Sequence, residues 1–244
     1  MNELSGKVAL VTGAGTRVGA EIARALGAER MRVAVHHHGS SQGADETCRA
    51  IEAAGGEAWP VRADLYDEPQ ARGLIDATLE RFGQLDLLVP SAANYDRVPL
   101  VEIERSHFAR AFELNLLAPF TLVQRALPAL QAARGAVVLI TDISRAVPLR
   151  EYLPYEVSKA GLHQMMRVLA LNLAPHVRVN AVAPGTVLPP PDLSEAQVAA
   201  ITAQIPLGRT GGASSVADAV VYLAKASFVT GTEITVDGGR ALSL

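Results

Sequence analysis

The sequence has a single cysteine, no long apolar run and almost balanced charge. Cys48 cannot form an intrachain disulfide on its own, which favours a reducing compartment. No apolar stretch is long enough to cross a bilayer and we expect no signal peptide, so the predicted location is the cytoplasm. The net charge of -3 offers no basic surface to nucleic acid or to an anionic membrane. We therefore expect neither partner.

Short apolar runs alternate with helical patterns along the whole chain of 244 residues, of which 49% are hydrophobic. The runs predict strands at 8–11, 32–35, 58–62, 85–89, 136–140, 178–183 and 233–236. Helices are predicted at 19–30, 44–54, 70–82, 106–133, 155–173, 194–204 and 216–225. This alternation predicts one α/β domain over 1–244, a doubly wound Rossmann-type sheet of seven mostly parallel strands with helices on both faces.

The first predicted strand runs into a glycine-rich turn that opens a helix. Glycines let the backbone approach a pyrophosphate, and the helix N-terminus offers free N–H groups. We predict a dinucleotide site here, with contacts from Gly13, Thr16, Arg17 and Val18. A turn that binds no phosphate is the less favoured alternative.

The end of the second predicted strand favours NADPH over NADH. The strand ends in His36-His37-His38-Gly39-Ser40-Ser41, with no acidic residue to hold ribose hydroxyls before Asp45. A 2′-phosphate would instead meet Arg17, His38, Ser40, Ser41 and a helix N-terminus. A polar strand end is the plainer interpretation of the three histidines. A metal site is not predicted, because consecutive strand side chains point to opposite faces.

Two further loops are candidate ligand contacts. After the third strand, Asp64 and Leu65 are placed to meet the adenine, although Asp64 is also an ordinary helix cap. After the sixth strand, Pro184-Gly185-Thr186 is a candidate dock for the nicotinamide carboxamide. The proline-rich stretch 184–193 follows, and we predict a substrate lid over 186–204.

Four residues form the predicted catalytic set. Tyr155 and Lys159 lie one turn apart on one helix face, and a nearby ammonium stabilises phenolate. Asp142 ends the fifth apolar strand, and Asn115 sits inside a predicted helix where capping does not explain it. The alternative is a surface lysine beside a partly buried tyrosine.

The chain resembles the short-chain dehydrogenase/reductase family along nearly its whole length. The matching motifs are Thr12-Gly13 to Gly19, Asn115, Tyr155-x-x-x-Lys159, Pro184-Gly185 and Val236-Asp237-Gly238-Gly239. The resemblance implies hydride transfer from a nicotinamide, with Tyr155 as proton donor. It implies that Lys159 lowers the pKa of Tyr155 and binds the nicotinamide ribose, while Asn115 holds a water. It also implies a homo-oligomer, with a tetramer favoured, built partly from helices 106–133 and 155–173.

Within the family, the chain resembles the pteridine reductases, including the dihydromonapterin reductases. Arg17 replaces a glycine of the turn, Asp142 replaces the usual serine, and the histidine run ends strand two. The resemblance implies NADPH-dependent reduction of a dihydropterin or dihydrofolate, assisted by Asp142. It also implies that Arg17 contacts both the cofactor phosphate and the pterin. A purely structural Arg17 is the alternative.

The loop after the fourth strand carries the last predicted contacts. Pro90-Ser91-Ala92-Ala93 departs from the family's Asn-Asn-Ala-Gly, and Ser91 and Ala92 are the expected cofactor contacts there. Tyr95 falls where the subgroup stacks an aromatic ring on the pterin, and a surface loop aromatic is an equal alternative. For the whole chain, the alternatives are a reductase of 3-oxoacyl thioesters or other carbonyls, and a non-catalytic cofactor sensor.

Overall fold

The computed structural model describes residues 3–189 and 193–243. Its centre is a seven-stranded sheet of order β3-β2-β1-β4-β5-β6-β7 in which every neighbouring pair is parallel. The strands are β1 (Val8–Val11), β2 (Arg32–His37), β3 (Glu57–Arg62), β4 (Leu87–Val89), β5 (Ala136–Ile140), β6 (Arg178–Pro184) and β7 (Glu233–Val236). The predicted doubly wound sheet is confirmed.

Helices cover both faces of the sheet. They are α1 (Arg17–Ala28), α2 (Ser41–Ala53), α3 (Glu68–Phe82), α4 (Arg105–Phe112), α5 (Ala118–Ala133), α6 (Leu153–Leu173), α7 (Glu195–Thr202) and α8 (Gly212–Lys225). Successive residues of one strand enter opposite cores: Val11 belongs to the core that contains Ile22 of α1, and Leu10 to the core that contains Leu122 of α5. Because both faces are covered there, the central strands β1, β4 and β5 are apolar and buried at every position rather than alternating.

The predicted continuous helix over 106–133 is wrong in one respect. A π-helical turn at Glu113–Leu117 separates α4 from α5 and contains the buried Asn115. A π-turn inserts one residue without breaking the apolar pattern, so periodicity alone does not reveal it. The turn rotates Asn115 toward α6, which prepares its role in the site.

The lid prediction is only partly covered. Residues 190–192 lie outside the described residues, while Gly185 to Pro189 and α7 flank them. Across the two described ranges, no helix is both long and apolar enough to traverse a bilayer.

Candidate active site

A cavity of about 500 Å³ opens at the C-terminal edge of the sheet. Most of the residues predicted as ligand contacts line it: Gly13, Thr16, Arg17, Val18, His38, Asp64, Leu65, Ser91, Ala92, Tyr95, Asp142, Tyr155, Lys159, Pro184, Gly185 and Thr186. The predicted site residues Ser40, Ser41 and Asn115 are not among its lining residues. Ligands of doubly wound folds bind at this edge of the sheet.

A buried histidine holds the glycine-rich turn in place. The N–H of Gly13 donates to His36 Nδ1 at 3.1 Å, and His36 Nε2 lies 3.1 Å from the carbonyl oxygen of Ala63. Burial lowers the pKa of His36 to about 4, so the ring is neutral at physiological pH. Because Nδ1 accepts, the proton sits on Nε2 and is donated to Ala63. The sequence placed His36 in a polar strand end and missed this role.

The turn is packed too closely for side chains. A Cβ at Gly13, whose φ is +65°, would come 2.9 Å from Ala92 Cα, and one at Gly15 would come 2.2 Å from Ser40 Oγ. The hydroxyl oxygen of Thr12 accepts both the Ser91 and Ala92 N–H groups at 3.0 Å. These contacts bring the turn, β2 and the loop after β4 to one wall.

The candidate 2′-phosphate contacts lie at the entry to α2. Ser40 precedes the helix and Ser41 is its first residue, beside the glycine-rich turn. His38 Nε2 lies 3.9 Å from a carboxylate oxygen of Asp64. The capping alternative for Asp64 is wrong, because Asp67 caps α3 by accepting the N–H of Gln70 at 3.1 Å. Asp64 instead accepts the N–H of Tyr66 at 2.9 Å and faces the cavity.

Arg17 bridges the two lips of the cavity. Its backbone has a φ of +52°, and its Nη2 donates to the carbonyl oxygen of Leu188 at 2.9 Å. Leu188 follows β6, so the guanidinium links the glycine-rich turn to the start of the predicted lid. On the same lip, Arg240 donates to the hydroxyl of Thr186. Two guanidinium groups therefore border the cavity.

The predicted acid, phenol and amine converge. The hydroxyl of Tyr155 donates to Asp142 Oδ2 at 2.8 Å, and Asp142 Oδ1 accepts the N–H of Ser144 at 2.7 Å. Lys159 Nζ donates to the carbonyl oxygen of Ile140 at 2.7 Å and lies 5.8 Å from the centre of the Tyr155 ring. The ends of β5 and α6 thus meet at one wall of the cavity.

The structure reverses the expected direction of the tyrosine pKa. Burial raises the pKa of Tyr155 well above its usual range, and the negative charge and hydrogen bond of Asp142 raise it further. Lys159 does not overcome these effects. Burial also lowers the pKa of Lys159 to about 8, against a weaker opposing effect of Asp142. Tyr155 is therefore held as a neutral phenol, suited to donate a proton rather than to accept one.

Asn115 acts as a brace behind this set. Its Nδ2 donates to Asn94 Oδ1 at 2.9 Å and to Ser158 Oγ at 3.0 Å, and its Oδ1 accepts the N–H of Asn94 at 3.0 Å. It thereby connects the loop after β4 to α6, next to Lys159. Asn94 was missed by the sequence reasoning, because no local pattern marks a loop asparagine as the partner of a π-turn.

Aromatic rings form the outer wall. Tyr95 stacks on Tyr152 with ring centres 4.3 Å apart, and its ring meets the ring of Tyr155 edge-on at 4.7 Å. Tyr95 is 43% exposed yet lines the cavity, so it is more than a surface loop aromatic. Tyr152 was not predicted, because it lies in a loop whose course the sequence does not reveal.

Comparisons with known proteins identify relatives over nearly the whole chain. A family model described as enoyl-(acyl carrier protein) reductase matches residues 13–241. An uncharacterized oxidoreductase of Methylorubrum extorquens is 37% identical over 98% of this chain and 99% of its own length. The cis-4-hydroxycyclohexanecarboxylate dehydrogenase of Sinomonas cyclohexanicum is 38% identical over 96% of each chain.

A solved structure from Sinorhizobium meliloti, provisionally described as a short-chain alcohol dehydrogenase, superposes with a TM-score of 0.93. It is 32% identical and covers 99% of both chains. These relatives support an oxidoreductase that uses a nicotinamide cofactor, and they do not single out the pteridine reductases. The chain belongs to the short-chain dehydrogenase/reductase family.

Proposed function

We propose that the protein is an NADPH-dependent reductase of a cyclic C=N bond, acting on a dihydropterin or dihydrofolate. The observation that carries the proposal is the 2.8 Å hydrogen bond from the Tyr155 hydroxyl to Asp142. Oxidation of an alcohol needs a phenolate as base, whereas reduction needs a phenol as acid. A carboxylate that keeps Tyr155 protonated favours reduction.

The chain's own residues supply the proton. When bound, NADPH supplies a hydride from its nicotinamide ring. The Tyr155 hydroxyl turns from Asp142 to the substrate nitrogen, where an N–H bond forms as the O–H bond breaks. Asp142 relays a proton from solvent to Tyr155, so the phenol is restored and Asp142 ends the step as it began, as a carboxylate.

The cavity also suits a flat heterocycle. The Tyr95 ring, held by Tyr152, forms an aromatic wall beside the reacting phenol. Stacking on such a ring contributes about 1 kcal/mol beyond burial. Arg17 lies at the opposite lip, where its guanidinium is available to acceptor atoms of a pterin or to a phosphate.

The NADPH preference rests on charge. No carboxylate ends β2, and the entry to α2 presents Ser40, Ser41 and helix N–H groups beside His38. A 2′-phosphate is stabilised by such donors. Asp64 lies near His38 and binds neither serine, so we place it toward the adenosine. Comparing kcat/KM for NADPH and NADH tests this preference directly.

A second candidate is a reductase of 3-oxoacyl thioesters or other small carbonyl compounds. The name of the Sinomonas relative, a dehydrogenase of a hydroxy acid, favours it. It uses the same Asn115, Tyr155 and Lys159, so only Asp142 and the aromatic wall separate the two candidates.

We also propose a homo-oligomer, with a tetramer favoured, in the cytoplasm. Exposed apolar side chains on α5 and α6, including Phe120, Val168 and Leu171, support association through these helices. Multi-angle light scattering on the purified chain gives the oligomeric state, and fluorescence imaging of a tagged chain in cells gives its location.

The deciding experiment compares Asp142→Ser with the wild type on dihydrobiopterin and on an acetoacetyl thioester, both with NADPH. We expect the variant to lose about 100-fold in kcat on the pterin, the lower range for loss of a general acid, and less than about 10-fold on the ketone. Asp76→Ser, which changes an exposed carboxylate paired with Arg125 on α5, is the matched control.

Two results would refute the assignment. One is a wild type that is inert with dihydrobiopterin but active with the thioester. The other is an equal loss on both substrates, which would assign Asp142 a role unrelated to the imine.

A further inference from the structure

A buried carboxylate lies behind the catalytic wall, outside the cavity. Glu233 belongs to the edge strand β7, yet its side chain is only 5% exposed because it turns inward. It accepts hydrogen bonds from Thr141 Oγ1 at 2.7 Å, Arg145 Nη2 at 2.6 Å and His163 Nδ1 at 2.9 Å. We call these four residues the Glu233 cluster.

The cluster joins the two segments that carry the proton-transfer groups. Thr141 directly precedes Asp142, and Arg145 follows the turn that Asp142 makes with Ser144. On the other side, His163 lies one helical turn beyond Lys159 and two beyond Tyr155, on the same face of α6. One carboxylate therefore holds both ends of the Asp142 turn and the helix that presents the phenol.

The donor set requires an ionised Glu233. Burial by itself raises the pKa of a carboxyl, but hydrogen bonds from Thr141, His163 and Arg145 outweigh it and hold the pKa of Glu233 below its usual range. Removing one partner from a buried charged group leaves the others without compensation. Loss of any one partner therefore disturbs the whole cluster, and the intact cluster fixes the relative positions of the segments that it joins.

We infer that Glu233 is a positioning residue that holds the Asp142 carboxylate at hydrogen-bonding distance from the Tyr155 hydroxyl. Glu233 touches neither the cavity nor these two side chains, so its effect passes through Thr141, Arg145 and α6. This inference rests on the proposed role of Asp142 in proton transfer. Displacements of about 1 Å in a reacting pair cost up to 100-fold in rate, so loss of the cluster has a measurable effect.

The test is a double-mutant cycle between Glu233→Gln and Asp142→Asn. The rate of dihydrobiopterin reduction is measured in single turnover with enzyme in excess over substrate and with saturating NADPH, so that slow variants remain measurable. We expect Glu233→Gln to slow the reaction at least about 10-fold. Its dissociation constant for NADPH stays within 2-fold of the wild type, because Glu233 itself does not line the cavity. In the Asp142→Asn background, Glu233→Gln has less than a 2-fold effect.

Two sets of controls accompany the cycle. Glu57→Gln removes an exposed edge-strand carboxylate that pairs with Arg81, and it leaves the rate unchanged. His163→Leu removes one donor and slows the reaction, and His163→Asn, whose amide replaces the Nδ1 donor, recovers most of that loss.

The outcomes separate the inference from the proposed function. An Asp142→Asn variant as fast as the wild type overturns the proposed function. If Asp142→Asn is slow but Glu233→Gln lowers the rate by the same factor in both backgrounds, the positioning role is wrong and the proposed function stands. A Glu233→Gln variant that is fast, or that loses NADPH affinity in proportion to rate, also overturns the positioning role.

Discussion

The buried ammonium of Lys159 should lower the free energy of unfolding of the protein. The side chain is 5% exposed, and burial lowers its pKa from 10.5 to about 8. At neutral pH the group is still charged, so the folded state bears the full cost of burying that charge. Replacing Lys159 with methionine, which keeps most of the chain length and removes the charge, should therefore stabilise the protein while abolishing its activity.

The magnitude follows from the shift in pKa. A lowering of roughly 2.5 units corresponds to about 3.4 kcal/mol at 1.36 kcal/mol per unit. Methionine also leaves the Ile140 carbonyl oxygen without its donor at 2.7 Å, which costs about 1 kcal/mol. The expected gain in the free energy of unfolding is about 2 kcal/mol at pH 7. For a chain of this length, that raises Tm by roughly 4–8 °C.

The gain should depend on pH in a defined direction. Below pH 8, the lysine is charged in both the folded and unfolded states, and the wild type carries the whole cost. Between pH 8 and about 10.5, the folded state loses the proton before the unfolded state does, so the wild type recovers stability as pH rises. Urea denaturation at pH 7, 8.5 and 10 measures how the difference in unfolding free energy between Lys159→Met and the wild type decreases with pH. Lys7→Met, at a partly exposed lysine outside the cavity, is the matched control.

The reasoning is refuted by a Lys159→Met variant that is less stable than the wild type at pH 7. It is equally refuted by a stability difference that stays constant up to pH 10, since burial of charge would then not be its source.

Two further predictions concern the glycine-rich turn. His36 is neutral when folded, with a pKa of about 4 against 6.5 unfolded, so its contribution is complete above pH 6.5 and is lost as pH falls toward 4. Between pH 7 and pH 4, the wild type should therefore lose about 3 kcal/mol more unfolding free energy than His36→Asn, and equal losses in urea titrations would contradict this. Gly15→Ala places a Cβ 2.2 Å from Ser40 Oγ and 2.8 Å from the Ser40 carbonyl oxygen, and should lower Tm and weaken NADPH binding. The control Gly73→Ala, in an open helical position, should raise the free energy of unfolding by up to about 1 kcal/mol. A Gly15→Ala variant that binds NADPH like the wild type would contradict the close packing of the turn.

Local patterns were sufficient for the elements and for part of the site. Seven short, mostly apolar runs predicted seven strands, because strands of a sheet covered on both faces lack the polar alternation of half-exposed strands. The four-residue spacing of Tyr155 and Lys159 predicted that both lie on one face of α6, because residues four apart are about one helical turn apart. The glycine-rich turn was recognisable because its residues are consecutive.

Other parts of the site were hidden from sequence reasoning. Three residues that the sequence reasoning missed lie in loops or on an edge strand: Asn94, Tyr152 and Glu233. Each contacts a partner that is distant in the sequence, and its role depends on that contact. The role of His36 depends on the hydrogen bonds that its ring makes with Gly13 and Ala63. A residue's own neighbours in sequence carry no information about such contacts.

The amino-acid order alone determined which segments form strands and helices, and which edge of the sheet carries the cavity, since both depend on local periodicity and on connection rules. Only the tertiary structure decided the direction in which the pKa of Tyr155 shifts. A lysine four residues away predicted a lowered pKa, but burial and the Asp142 carboxylate, brought within 2.8 Å by packing β5 against α6, raise it. Charge stabilisation depends on distance and solvent exclusion in space, and these are set by the completed fold.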